Sequence, residues 1–173
     1  MAATYEPIAS QTLGSDTATV SFTGIASDWT DIVAVVHGRS ARSAIQDNLY
    51  IQFNSDTTAT NYSLTRIGGN GSSAYSERFS GASPGYNFLA GLLDGSTAAA
   101  NTFSPSIIHV QSYANTNVYK TWLYGGNVAG NSLERGVGLW RNTSAISTIT
   151  FKTILGNNFK SGCTFSLFGL KAA

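Results

Sequence analysis

The 173-residue chain has 11% charged residues and a formal net charge of +1, against about 25% charged residues in typical soluble domains. No basic patch is available to neutralise phosphates, which argues against a nucleic-acid partner. No apolar run approaches the roughly 18 residues a membrane span needs. Ser, Thr, Asn and Gly replace the missing charge, and near-neutral surfaces associate readily, so the composition fits a protein that packs against neighbours. The length fits one domain over residues 1–173. Residues 1–8 lack a basic region followed by an apolar core, so no signal peptide is expected, and synthesis in a cytoplasm is.

In chain order, a short N-terminal arm precedes Tyr5. Val20 and Phe22 alternate with hydroxyl residues, giving a strand with one buried and one wet face. Residues 31–36 are apolar on both faces, as in a central strand. Leu49, Ile51 and Phe53 alternate with polar neighbours and should point inward. Ile107, His109 and Gln111 share one face of a later strand, and Ile108 and Val110 the other. Lys120, Trp122 and Tyr124 share a face, opposite Tyr119, Thr121 and Leu123. Residues 146–151 alternate again. In the last strand Phe165 and Leu167 lie on one face, Phe168 and Leu170 on the other. Either a bulge near Gly169 restores a single buried face, or both faces are covered.

Turn clusters at 68–72, 81–85, 94–96, 125–127 and 156–158 separate these runs. Helix signals are nearly absent; residues 98–100 form an alanine tract bracketed by Gly95 and Pro105, in a loop. On the order of ten short strands with such turns predict an all-β fold, a single antiparallel β-sandwich of jelly-roll-like type.

Catalytic signatures are missing. There is no nucleophile elbow, phosphate loop, His-Glu-x-x-His motif or paired-cysteine metal spacing. His37 and His109 read as strand histidines with ordinary hydrogen bonds. Cys163, the single cysteine, reads as a packed small hydrophobe. Nine acidic residues are scattered, and none is marked out as half of a catalytic pair. No enzyme and no cofactor are expected. Asp47, Asn54 and Asp56 flank a strand and could offer oxygen ligands to calcium, although Asx residues at strand ends ordinarily form turns. The aromatic residues are the richer signal: Tyr5, Tyr113, Tyr119, Trp122, Tyr124, Trp140 and Phe168 are candidate interface anchors, with core packing as the competing role.

Several stretches stand in a recognisable order: Tyr5-Glu6-Pro7-Ile8-Ala9; Phe53-Asn54-Ser55-Asp56 followed by Asn61-Tyr62-Ser63; Tyr113-Ala114-Asn115 and Tyr119-Lys120-Thr121; Val137-Gly138-Leu139-Trp140-Arg141; Ser161-Gly162-Cys163-Thr164-Phe165; and Leu167-Phe168-Gly169-Leu170-Lys171-Ala172. Over nearly its whole length the chain resembles a family of small structural proteins of tailed bacteriophages, including phages of cyanobacteria. Cys163 departs from the small hydroxyl residue expected there. The resemblance implies a virion component, commonly a trimer, with no catalytic residues. The leading expectation is a homotrimeric capsid decoration, or cement, protein. It would bind itself and the major capsid protein, with the chain's two ends lying across a neighbour. The alternative is a tail or fibre-tip adsorption protein that presents Trp122, Tyr124 or Trp140 to host surface glycans.

Overall fold

The computed structural model describes residues 5–81 and 85–171. The arm ahead of Tyr5, residues 82–84 of one turn cluster, and Ala172 of the closing motif lie outside the described residues. The described residues form twelve strands. They are β1 (Glu6–Thr12), β2 (Val20–Thr23), β3 (Asp31–Gly38), β4 (Gln46–Phe53), β5 (Tyr62–Gly69), β6 (Ala74–Ser80), β7 (Leu89–Asp94), β8 (Ser104–Gln111), β9 (Lys120–Val128), β10 (Ser132–Trp140), β11 (Thr148–Thr153) and β12 (Thr164–Leu170). Among these residues no helix is long and apolar enough to cross a membrane.

The strands build two antiparallel sheets. The large one has the order β1-β12-β3-β8-β9-β10-β5-β6, and the small one β2-β11-β4-β7. β1 pairs with β12 and β2 with β11, so the chain wraps from its two ends inward. β1 to β4 alternate between the sheets. This is the expected all-β sandwich with jelly-roll-like wrapping.

The period-two reading of the sequence places the core. Leu49, Ile51 and Phe53 are fully buried on β4. β3, apolar on both faces, lies between β12 and β8. Phe53 meets Trp122 at 5.6 Å and Trp140 at 5.5 Å, and Tyr62 meets Phe88 at 4.3 Å between ring centroids. Each such ring contributes about 3 kcal/mol by burial. Gly138 admits Trp122, since a Cβ there would sit 2.0 Å from the indole. Their polar tips are satisfied as burial demands: the Trp140 indole donates to Asp56 Oδ2 at 2.8 Å, and the Tyr62 hydroxyl donates to the Asp56 carbonyl at 3.2 Å.

Two local expectations are corrected. Residues 125–127 are not a turn but lie within β9, because both glycines serve close approach. The Arg135 guanidinium lies over Gly125, and the backbone of β7 comes against Gly126. The chain reverses at 129–131 instead. In β12 no bulge occurs at Gly169, and its pairing with β3 runs unbroken from Thr164 to Leu170. Gly169 is buried beneath the Trp29 indole, while Phe168 stays half-buried on the outer face. The irregularity sits in the partner strand, between Pro7 and Ala9 of β1.

The small sheet meets the large one edge-on through β7. The Trp122 Nε1–H donates to the Leu89 carbonyl at 2.9 Å, and the Ser106 hydroxyl donates to the Leu92 carbonyl at 3.0 Å. Those carbonyls belong to the edge of β7 that has no strand beside it, so side chains of the large sheet replace a strand partner.

Candidate functional site

β7 packs on β8, β9 and part of β10. Beyond it, the inner face of β10, β5 and β6 opens into a groove of about 660 Å³. One wall carries Arg66 from β5, Tyr75 and Glu77 from β6 and Ser132 from β10. The other carries Arg42, Ile45, Gln46 and Asn48 from the start of β4 and the preceding loop. Tyr86 also lines the groove, as do Asn70 and Asn131 from the turns.

Strand register explains the change in chemistry. One cross-strand row of the inner face runs Leu167, Ala34, Ile108, Tyr124, Gly136, Arg66, Glu77. Its first members are core residues. Tyr124 is the boundary: its body is buried, and Gly136 leaves room for the ring, since a Cβ there would lie 2.3 Å from it. Past that point the row becomes charged.

Arg66 organises the groove. Its Nε and Nη2 engage Glu77 Oε2 at 2.8 and 2.6 Å, and its Nη1 donates to Glu134 Oε2 at 2.8 Å. Three rings surround the guanidinium: Tyr75, Phe79 and Tyr86, at 5.3, 5.4 and 5.8 Å from ring centroid to Cζ. Such contacts favour the cation. Burial pulls the Arg66 pKa down, but the Glu134 charge and then the Glu77 hydrogen bond outweigh it, leaving it above its usual value. Glu134 is fully buried and also accepts from the Tyr75 hydroxyl at 3.1 Å; its Oε1 has no hydrogen-bond partner. Burial, then the Glu134 charge, push Tyr75 up to about 12 and raise Tyr124 as well. Across the groove the Ser132 hydroxyl donates to Gln46 Oε1 at 2.6 Å, linking the two walls. Asp47 lies behind β4, fully buried. Burial raises its pKa, against a backbone hydrogen bond from Asn48 and the Arg42 charge at 3.6 Å.

The structure divides the seven candidate anchors. Trp122, Tyr124, Trp140 and Tyr113 are corrected to the core: Trp122, Trp140 and Tyr113 have no exposed surface and Tyr124 has 3%. Their faces are enclosed between the sheets, so they meet neither a partner nor a glycan. Tyr5 and Tyr119 are exposed, and Phe168 is half-buried with Tyr5 edge-on against it at 6.2 Å. Lys120 shares the buried face of β9, as its spacing predicts. Its ammonium donates to the carbonyls of Asn115, Val118 and Thr143, and burial lowers its pKa.

The calcium set does not converge. Asp47 and Asn54 are separated by the length of β4, roughly 20 Å of extended chain. Asn54 Oδ1 accepts the amides of Ser147 and Thr148, and Asp56 Oδ1 that of Thr58. The Asp56 bond is an Asx turn, and the Asn54 bonds tie the end of β4 to the start of β11. Among the described residues no group of three or more His, Cys, Asp or Glu side chains is placed to hold a metal ion.

His109 differs in its partner: its Nε2 lies 2.7 Å from Asp31 Oδ2, while Asp31 Oδ1 accepts the Ser112 amide. Its cross-strand neighbours are Leu123 and Val33. His37 stacks on Phe103 at 5.5 Å. Cys163 is buried as a small hydrophobe, its thiol pushed up by burial. It donates to the Arg39 carbonyl and accepts the Arg39 amide.

No family model and no curated protein matches the chain. Among solved structures it is similar to a toad ovary galectin in complex with thio-digalactose, at 9% identity and TM-score 0.35, covering 86% of this chain and 98% of that one. It is similar to a NanB structure with Optactamide at 11% identity and TM-score 0.38, covering 97% of this chain and 27% of that one. It is also similar to a Ruminococcus gnavus sialidase CBM40 bound to α2,3-sialyllactose, at 7% identity and TM-score 0.30, covering 93% and 91%. Similarity at this level carries no argument about function.

Proposed function

We propose that this chain is a non-catalytic recognition domain of a phage virion, and that its groove takes a host-surface glycan. The virion setting comes from the resemblance of its sequence motifs. The groove supplies the binding reading: polar groups held by a buried charge network, with tyrosine rings beside them, are the usual make-up of an orienting ligand site. Binding suits it better than catalysis. Glu77 and Glu134 are the acidic pair that sequence spacing left unmarked, yet the Arg66 guanidinium fills the space between them. A bond to be cleaved by two carboxyls has to lie between them. Glycan-array binding by the intact chain tests the proposal. Signal lost in Tyr86→Ala with folding retained supports it; signal unchanged in that variant sends the ligand elsewhere.

A second reading, capsid decoration by a homotrimer that also binds the major capsid protein, draws on the opposite face. Ile67, Ile107, Leu123, Leu133 and Val137 are exposed on the outer surface of the large sheet. Such clustered apolar exposure marks interaction surfaces. Density in regular trimers on the phage head, seen by cryo-electron microscopy, would favour this reading. Density confined to the tail or its fibres would favour the glycan reading.

A further inference from the structure

We propose that the groove selects uncharged pyranose sugars over their acidic counterparts; this rests on the reading of the groove as a glycan site and names the ligand class it takes. Charge is the first reason. Among the described residues lining the groove the cations are Arg42 and Arg66, and Arg66, which stands against the aromatic wall, is not free for a ligand carboxylate. Arg66 is held on one side by Glu77, on the other by Glu134, and by aromatic rings around it. Arg42 faces Asp47 and donates to the Gln46 carbonyl. Arg66 is thus matched by two carboxylates, Glu77 and the buried Glu134, while Arg42 meets Asp47 through Nη1. At the Arg66 wall, a sialic, uronic or phosphorylated sugar would have to displace a carboxylate from Arg66 or stand beside Glu77. Like charges at such range repel strongly in a partly buried site.

The remaining lining groups match a neutral polyol. Asn48 and Asn131 carry amides that both donate and accept, as sugar hydroxyls do. Gln46, Ser132 and Asn70, whose Oε1, hydroxyl proton and Oδ1 are engaged within the protein, keep a free amide NH2 or hydroxyl lone pair. Glu77 is bound through Oε2 alone, with its side chain 43% exposed, and so presents an acceptor. Tyr86 stacks one face on Phe79 at 5.0 Å and is 37% exposed. With Arg66 also over the ring, its exposed part offers apolar ring surface to the C–H groups of a pyranose, with the phenol at its rim. Glu134 beneath, buried with one unpartnered oxygen, fixes Arg66 so that Glu77 is held in place before ligand arrives, which lowers the ordering cost of binding.

The test has two stages on the full-length chain. A printed array of neutral and acidic glycans is followed by titration calorimetry with matched pairs: methyl glucoside against methyl glucuronide, and methyl galactoside against methyl galacturonide. In any pair that binds, the neutral sugar is expected to bind at least about tenfold more tightly. Glu77→Gln, which removes the exposed charge and keeps the shape, should narrow that gap severalfold. Acidic sugars binding as well as or better than their neutral partners would overturn the selectivity while leaving the glycan site standing. No binding to any glycan on the array would overturn both.

Discussion

Two halves of one sheet face make different chemistry from the same alternation. Where the small sheet covers the inner face, the inward positions are Leu167, Ala34, Ile108 and Trp122, all buried. Where cover stops, the same face carries Arg66, Tyr75, Glu77 and Glu134. Strand pairing continues across the boundary; the cover supplied by the small sheet differs. Desolvation explains the split. A charge under the small sheet would be stranded unless paired, whereas the overhang holds a charge network whose outer member, Glu77, solvent reaches. Tyr124 spans the two environments.

The comparison breaks most sharply at Trp122. Trp122→Ala should destabilise the fold by about 3–5 kcal/mol, measured by denaturant unfolding. Unchanged stability with altered assembly would return this ring to a surface role. Lys120→Met comes next. It leaves three carbonyls without their donor and should cost about 2–4 kcal/mol; a neutral effect would mean that those carbonyls find water. Asp56 gives a pH-dependent test. Burial raises its pKa, but the hydrogen bonds from Trp140, Asn61 and Thr58 outweigh it, so the folded value lies below the usual one. Its stabilisation is therefore present above about pH 4 and is lost as pH falls through the folded value. Melting temperature followed from pH 6 to pH 2 should fall more steeply in the wild type than in Asp56→Asn, and the two curves should converge at low pH. The smallest effect belongs to the open half. Glu77→Gln should change stability by less than about 1 kcal/mol, since its pair with Arg66 is partly exposed, while altering sugar selectivity. A large loss of stability would show that the overhang is as much core as the covered half.

Much of the covered half was legible. Alternation at 49–53 put the correct residues inside, alternation at 120–124 grouped the right three residues on one face, and the apolar run at 31–36 did mark a central strand. The same alternation misled at Trp122 and Tyr124, read as candidate anchors, because period two separates faces without saying which face lies against the other sheet. The groove was not legible for a related reason. Tyr75, Glu77 and Phe79 alternate on β6, and Glu134, Gly136 and Gly138 alternate on β10. Only strand order brings Arg66 between them. Nothing local reports where β7 ends its cover, and neither Glu77 nor Glu134 has a sequence neighbour that reveals its partner. The glycines at 125 and 126 looked like a turn because close packing and chain reversal require the same residue.

The margins of the large sheet have a further consequence for a chain with so little charge. An open strand edge is a template on which another copy can add itself, extending the sheet without limit. At one margin β1 carries Pro7, which has no amide to donate, next to the irregularity before Ala9. At the other, β6 sets Glu77 and Arg78 side by side. A protein displayed in many copies at high local concentration would otherwise be at risk of fibre growth. Here Pro7 and the charges of Glu77 and Arg78 make strand addition at these edges unfavourable.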